Sequence, residues 1–69
     1  MSILQDLAGQ ADTYRQQYQS GQISPSDYKE LIGDLNIAQN IQGESLELQE
    51  DIAYYNILMT ALQIAEAIE

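Results

Sequence analysis

The sequence predicts an all-α fold, a helical hairpin followed by a third, mostly apolar helix in a small three-helix bundle. Two observations predict it. Apolar residues recur at alternating spacings of three and four along three segments, and residues 21–28 carry the signals that end one helix and start the next. We expect helices over about residues 2–19, 25–42 and 45–68, within one domain that covers residues 1–69.

The first helix is indicated by a narrow apolar seam with a polar outer face. Gly9 lies within this segment and weakens it, because glycine is a poor helix former. Spacings of 3, 4, 3 and 4 separate the seam residues, which are Leu4, Leu7, Ala11, Tyr14 and Tyr18.

The hairpin turn is predicted from residues with specific backbone roles. Gly21 suits the left-handed position that follows a helix C-terminus. Ser24 can cap the next helix, and Pro25 suits its first position, where no amide hydrogen is needed. Ile23 and Tyr28 occupy the two positions of a hydrophobic staple across this helix start.

The second helix repeats the apolar pattern up to about residue 42. Gly33 within it costs about 1 kcal/mol relative to alanine, unless a neighbouring helix uses the missing side chain for close approach. The expected seam is Tyr28, Leu31, Leu35 and Ala38, widened by Ile32, Ile37 and Ile41.

Gly43 marks the predicted boundary between the second and third helices. If the heptad pattern of the second helix continued past Gly43, polar residues would occupy its apolar seam. A turn is favoured there, and a kinked continuous helix is the alternative. Ser45 is the predicted N-cap of the third helix. The heptad spacing then resumes at Leu48, Ile52, Tyr55, Met59 and Leu62.

The third helix is apolar over more of its circumference than two short helices can cover, which predicts a second, intermolecular face. One ring of the Tyr54–Tyr55 pair is expected to face the core and the other a rim or a partner. The residues predicted for the interface are Tyr54, Tyr55, Ile57, Leu58, Ala61, Ile64, Ala65 and Ile68.

The composition also favours association with another chain. A chain of 69 residues without Cys or His lacks disulfide and ordinary zinc staples, so association is its expected route to stability. Eleven acidic residues against Arg15 and Lys29 give a net charge of -9, which argues against binding to nucleic acid or to an anionic membrane. With no signal peptide or transmembrane segment recognised, a cytoplasmic or virion location is expected.

Catalytic chemistry is not indicated. His and Cys are absent, and the serines are explained by helix ends and turns. We therefore predict no enzyme, no catalytic residues and no cofactor. The acidic patch of Glu44, Glu47, Glu50 and Asp51 lacks the ligand spacing of a calcium loop, so no metal site is predicted, and Glu47 is assigned to the start of the third helix.

Residues 14–35 resemble the short helical hairpin known as the SHOCT domain. The resemblance implies an oligomerisation or interaction module, although such hairpins usually end a larger protein. The matching residues are Gly21, Ile23, Ser24, Asp27, Tyr28 and Leu35. The whole chain, short, acidic and rich in glutamine, also resembles the small accessory proteins of tailed bacteriophages.

The sequence thus favours a non-enzymatic oligomerisation, assembly or adaptor protein, which the phage resemblance would place in a bacteriophage particle. Its expected partner is itself or another protein, bound through the third helix. The alternative is an acidic inhibitor, or nucleic-acid mimic, that binds a basic host protein.

Overall fold

The computed structural model describes residues 3–68, which form four helices and no strand. They are α1 (Ile3–Gln19), α2 (Pro25–Asp34), the single-turn α3 (Ile37–Asn40) and α4 (Gln49–Ala67). The three longer helices pack on one another, with the most extensive contact between α1 and α4. The all-α prediction is confirmed, while the predicted first residue of the first helix, residue 2, lies outside the described residues.

The end of α1 follows from Gly21. This residue has a φ of 82°, the left-handed conformation that glycine adopts without a steric penalty. Its amide donates to the Tyr18 carbonyl at 3.2 Å, and the Gln22 amide donates to the Gln17 carbonyl at 2.8 Å. These two bonds form a Schellman motif, which satisfies carbonyls that the helix end leaves without partners.

The start of α2 also matches the prediction. The Ser24 hydroxyl oxygen accepts a hydrogen bond from the Asp27 amide at 3.1 Å, and Pro25 occupies the first turn. Ile23, just before the cap, packs against the core that contains Tyr28. The turn between α1 and α2 is therefore determined by local residues that end the first helix and start the second.

The second helix is shorter than predicted, because it ends at Asp34 instead of continuing to residue 42. Asn36 takes a left-handed conformation with a φ of 49°, which asparagine tolerates better than most residues. The Asn40 side chain then donates to the Leu35 carbonyl at 2.7 Å. Ile32 and Ile37 point about 140° apart on a continuous helix, and the break allows both to enter the core.

The segment between α3 and α4 contains a turn at Gly43, as favoured from the sequence, with a φ of 83°. However, Ser45 is not the N-cap of α4. The chain stays non-helical to Leu48, which occupies the cap position without a side-chain hydrogen bond. Glu50 and Asp51 are the acidic residues of the first turn, where negative charge interacts favourably with the helix dipole. The assignment of Glu47 to this turn is therefore wrong.

The core is built from small and branched side chains of all four helices. Alanines from α1 and α4 are buried together with leucines and isoleucines, which allows these helices to approach closely. Its members are Leu4, Leu7, Ala8, Ala11, Tyr28, Ile32, Ile37, Leu58, Ala61 and Ala65.

Tyr28 is the one buried residue of this core with a polar side-chain atom. Its hydroxyl donates to the Ala61 carbonyl of α4 at 2.8 Å, and its ring stacks on Tyr18 with centroids 4.8 Å apart. A buried hydroxyl needs a hydrogen-bond partner, and a helix carbonyl supplies it here.

Burial raises the pKa of the Tyr28 hydroxyl above its ordinary value, an effect that nearby Arg15 opposes and Tyr18 reinforces. The fold therefore favours the protonated phenol. The corresponding stability is complete below the ordinary tyrosine pKa of about 10 and is lost as the pH rises through the folded-state pKa.

We predict opposite effects for alanine at two glycines that are both surrounded by open space. Gly9→Ala in α1 should raise the free energy of unfolding by about 1 kcal/mol, because alanine favours helix. Gly21→Ala should lower it by about 1 kcal/mol, because a Cβ is strained at positive φ. Urea unfolding of both variants measures this, and equal signs would contradict the assigned backbone roles.

We also predict that Tyr28→Phe lowers the free energy of unfolding near neutral pH by about 1 kcal/mol, through loss of the bond to Ala61. The same variant should flatten the decline of stability above pH ~10. Urea unfolding as a function of pH provides the test, with Tyr14→Phe as the control that keeps the decline. A Tyr28→Phe profile parallel to the wild type at alkaline pH would show that this phenol is not the group responsible.

Candidate interaction surface

The helix α4, together with the capping residues at its two ends, carries two apolar faces with the same heptad spacing. The first, which we call the core face, comprises Tyr54, Leu58, Ala61, Ala65 and Ile68. The second, which we call the stripe, comprises Leu48, Ile52, Tyr55, Met59 and Leu62. Successive members of either face are separated by 4, 3, 4 and 3 residues, and the two faces lie about 120° apart around the helix.

The core face is the one that packs within the chain. Leu58 and Ala61 are completely buried, and Ala65 is almost so. Ala61 also accepts the hydrogen bond of Tyr28 through its carbonyl. Tyr54 and Ile68 are half-buried and pack against the same core.

This arrangement corrects the predicted interface. Leu58, Ala61 and Ala65 were expected on an intermolecular face, but they lie in the core of the single chain. Small side chains favour this arrangement, because α1 and α4, the two helices in most extensive contact, both bury alanines and can therefore approach closely.

The other predicted interface residues divide differently. Ile57 and Ile64 are half-buried and, like Tyr54 and Ile68, pack against the core. Tyr55 is half-buried and is outside the set that packs on the core within residues 3–68. As predicted, one ring of this pair, that of Tyr54, packs on the core and the other does not. Tyr55 is the one predicted interface residue that belongs to the stripe.

The stripe consists of the residues that the sequence analysis placed in the heptad seam of the third helix, and in the structure part of it is exposed. Leu48 is 62% exposed and Ile52 is 44% exposed, while Met59 and Leu62 are half-buried at the border of the core. Leu46, just before α4, is also an exposed leucine. A run of large exposed apolar side chains on one side of a helix is typical of a binding surface.

Along α4 itself, the residues that flank the stripe are uncharged over most of its length, whereas Asp12 and Arg15 of α1 line a groove together with Asn56. No charged residue occurs from Ile52 to Ala65. The edge of the stripe that points away from the core face carries exposed amide side chains at intervals of seven, from Gln49, Asn56 and Gln63. Glu50 and Asp51 lie at one end of the helix and Glu66 at the other.

The two basic residues lie on α1 and α2, and both form hydrogen bonds or ion pairs within the chain. Arg15 forms a salt bridge with Asp12 and donates to the Gln19 side chain, and the Lys29 ammonium donates to the Ile68 carbonyl. The hydrogen bond from Arg15 holds the pKa of the Asp12 carboxyl below its ordinary value. Neither cation therefore balances the acidic residues near the start of α4.

An open groove of about 220 Å³ lies between α1 and α4, on the side where Arg15 meets Ile57 and Thr60. The polar groups of Asp12 and Arg15 at its rim are bonded to each other. Asn56, Ile57 and Thr60 of α4 form its other side.

The acidic patch does not form a metal centre in the described part of the chain. Within residues 3–68, no three acidic side chains, including those of Glu44, Glu47, Glu50 and Asp51, are grouped so that they could hold a metal ion. None of the helices within residues 3–68 is both long enough and apolar enough to cross a bilayer.

Comparison of the chain with protein-family models, curated proteins and solved structures finds no match.

We predict that equal truncations on the two faces of α4 have unequal effects. Leu58→Ala should lower the free energy of unfolding by about 2–5 kcal/mol, because it leaves a cavity in the core. Ile52→Ala should change it by less than about 0.5 kcal/mol, as is usual for an exposed site. Urea unfolding at low protein concentration makes the comparison, and a larger loss for Ile52→Ala would reverse the assignment of the faces.

Proposed function

We propose that this chain is a non-enzymatic assembly or adaptor protein that binds a protein partner through the stripe. The observation that carries the proposal is that exposed Leu48 and Ile52 lie with half-buried Tyr55 on one side of a helix whose other apolar face already fills the core. These side chains contribute little to the folding of the single chain. Burial against a partner would give them a role, since apolar area removed from water stabilises association.

The heptad spacing of the stripe specifies the kind of contact. Side chains at alternating intervals of 3 and 4 interlock with an apolar seam on a second helix. Tyr55 supplies a large ring near the middle of the stripe, where interface residues contribute most to binding. The proposed partner surface is therefore a helix with an apolar seam of its own.

A second candidate function is an acidic inhibitor of a basic protein. Glu44, Glu47 and Glu50 are exposed, and the salt bridge of Asp12 with Arg15 is the only one within residues 3–68. Such binding would depend on charge and weaken steeply with salt, whereas contact through the stripe depends on apolar burial.

We predict that a photo-crosslinking residue at Ile52 captures a protein of defined mass in the cells that produce this chain. The same residue at Gln10, an exposed position of α1, should capture none. Mass spectrometry of the adducts measures both outcomes. Adducts at neither position, or equal adducts at both, would contradict a binding role for the stripe.

A further inference from the structure

We infer that the stripe binds a second copy of this chain, with the two α4 helices paired antiparallel about a two-fold axis near Asn56. This inference rests on the proposed function and names its partner. A second copy supplies the required helix, because its own stripe presents the same apolar seam over residues 48–62. Self-complementary patches are also the rule in two-fold dimers.

The distribution of charge permits this pairing. Each chain carries a net charge of -9, which opposes self-association through most of its surface. The fourteen residues from Ile52 to Ala65 contain no charge, so α4 itself places no carboxylates opposite each other along this section. The carboxylate of Asp12, which lines the groove at Asn56, is paired with Arg15 of its own chain. The acidic residues of α4 remain at the two ends of the contact.

The edges of the stripe determine the direction of pairing. One edge carries the exposed amides of Gln49, Asn56 and Gln63, whereas the other continues into Leu58 and Ala65, which are buried in the core of their own chain. Parallel helices would place the amide edge of one copy against the closed edge of its partner. Antiparallel helices place amides against amides, which both donate and accept hydrogen bonds.

The same symmetry aligns the apolar residues. With the axis near Asn56, Tyr55 of one copy lies against Met59 of the second copy, and the reciprocal pair forms on the other side of the axis. Sulfur and aromatic rings make favourable contacts. Ile52 then lies toward Leu62 of the second copy, so the exposed end of each stripe meets the half-buried end of the other.

Two acidic copies repel each other at long range, so salt should strengthen this dimer by screening the repulsion. Attraction to a basic partner has the opposite salt dependence. The sign of the salt effect therefore distinguishes self-pairing from acidic inhibition.

The inference is tested by analytical ultracentrifugation of the purified chain across a range of concentrations, at low and high ionic strength. We expect a monomer–dimer equilibrium that tightens with salt. Ile52→Glu should weaken it by at least about tenfold, whereas Ala53→Glu, which adds the same charge on an exposed face of α4 away from the stripe, should have a much smaller effect.

The antiparallel geometry is tested by mixing Asn56→Lys with Asn56→Glu chains. These substitutions face each other near the proposed axis, so the mixture should form more heterodimer than random pairing gives, as measured by native mass spectrometry. Asn56 is exposed, so both variants should fold. A random distribution would contradict the antiparallel pairing.

A chain that stays monomeric at all concentrations, a dimer that ignores Ile52→Glu, or a dimer that weakens with salt would each overturn the inference. Failure of the proposed function is distinguishable from these results. A monomeric chain whose Ile52 position still captures a different protein retains the adaptor role, whereas a monomeric chain without any adduct at Ile52 loses both.

Discussion

The packing of the bundle depends on Tyr28, the buried residue at which three helices meet. Its ring stacks on Tyr18 of α1, its backbone belongs to the first turns of α2, and its hydroxyl binds the Ala61 carbonyl of α4. Because a buried hydroxyl without a partner is costly, the core favours the rotation of α4 that brings this carbonyl to the phenol. This bond therefore helps to decide which face of α4 points inward.

The choice of face has a direct functional consequence. Turning Leu58, Ala61 and Ala65 inward leaves Leu48 and Ile52 in solvent. A chain with no cysteine and little room for a core thus exposes large apolar side chains on α4 and carries acidic residues at the two ends of that helix. Association through this helix would bury the exposed stripe, and the acidic ends would limit association elsewhere.

The parts of the fold that could be predicted from sequence are those with local causes. Gly21, Ser24 and Pro25 act on their immediate neighbours, so the hairpin turn follows from residue type alone. The end of α2 depends on Asn36 adopting a left-handed conformation so that Ile37 reaches the core. That exchange of helix continuity for burial is a tertiary effect, which apolar periodicity does not reveal.

The candidate surface was harder to predict, because α4 repeats the same spacing on two faces. Apolar periodicity identifies both faces but does not indicate which of them packs in the core. The side chains distinguish them by size, since alanines in α1 and α4 allow close approach while the larger residues of the stripe would hold the helices apart. A partner helix outside the chain can accommodate those larger residues.

The most direct test of this account uses the absence of natural cysteine, which makes an introduced thiol the only one in the chain. Ile52→Cys and Ala61→Cys are labelled with a thiol reagent at a concentration low enough to keep the chain monomeric, and the rates are normalised to the unfolded chain. The account predicts rapid labelling at Ile52→Cys and strong protection at Ala61→Cys. Protection at Ile52→Cys with rapid labelling at Ala61→Cys would show that the stripe forms the core and would contradict the account.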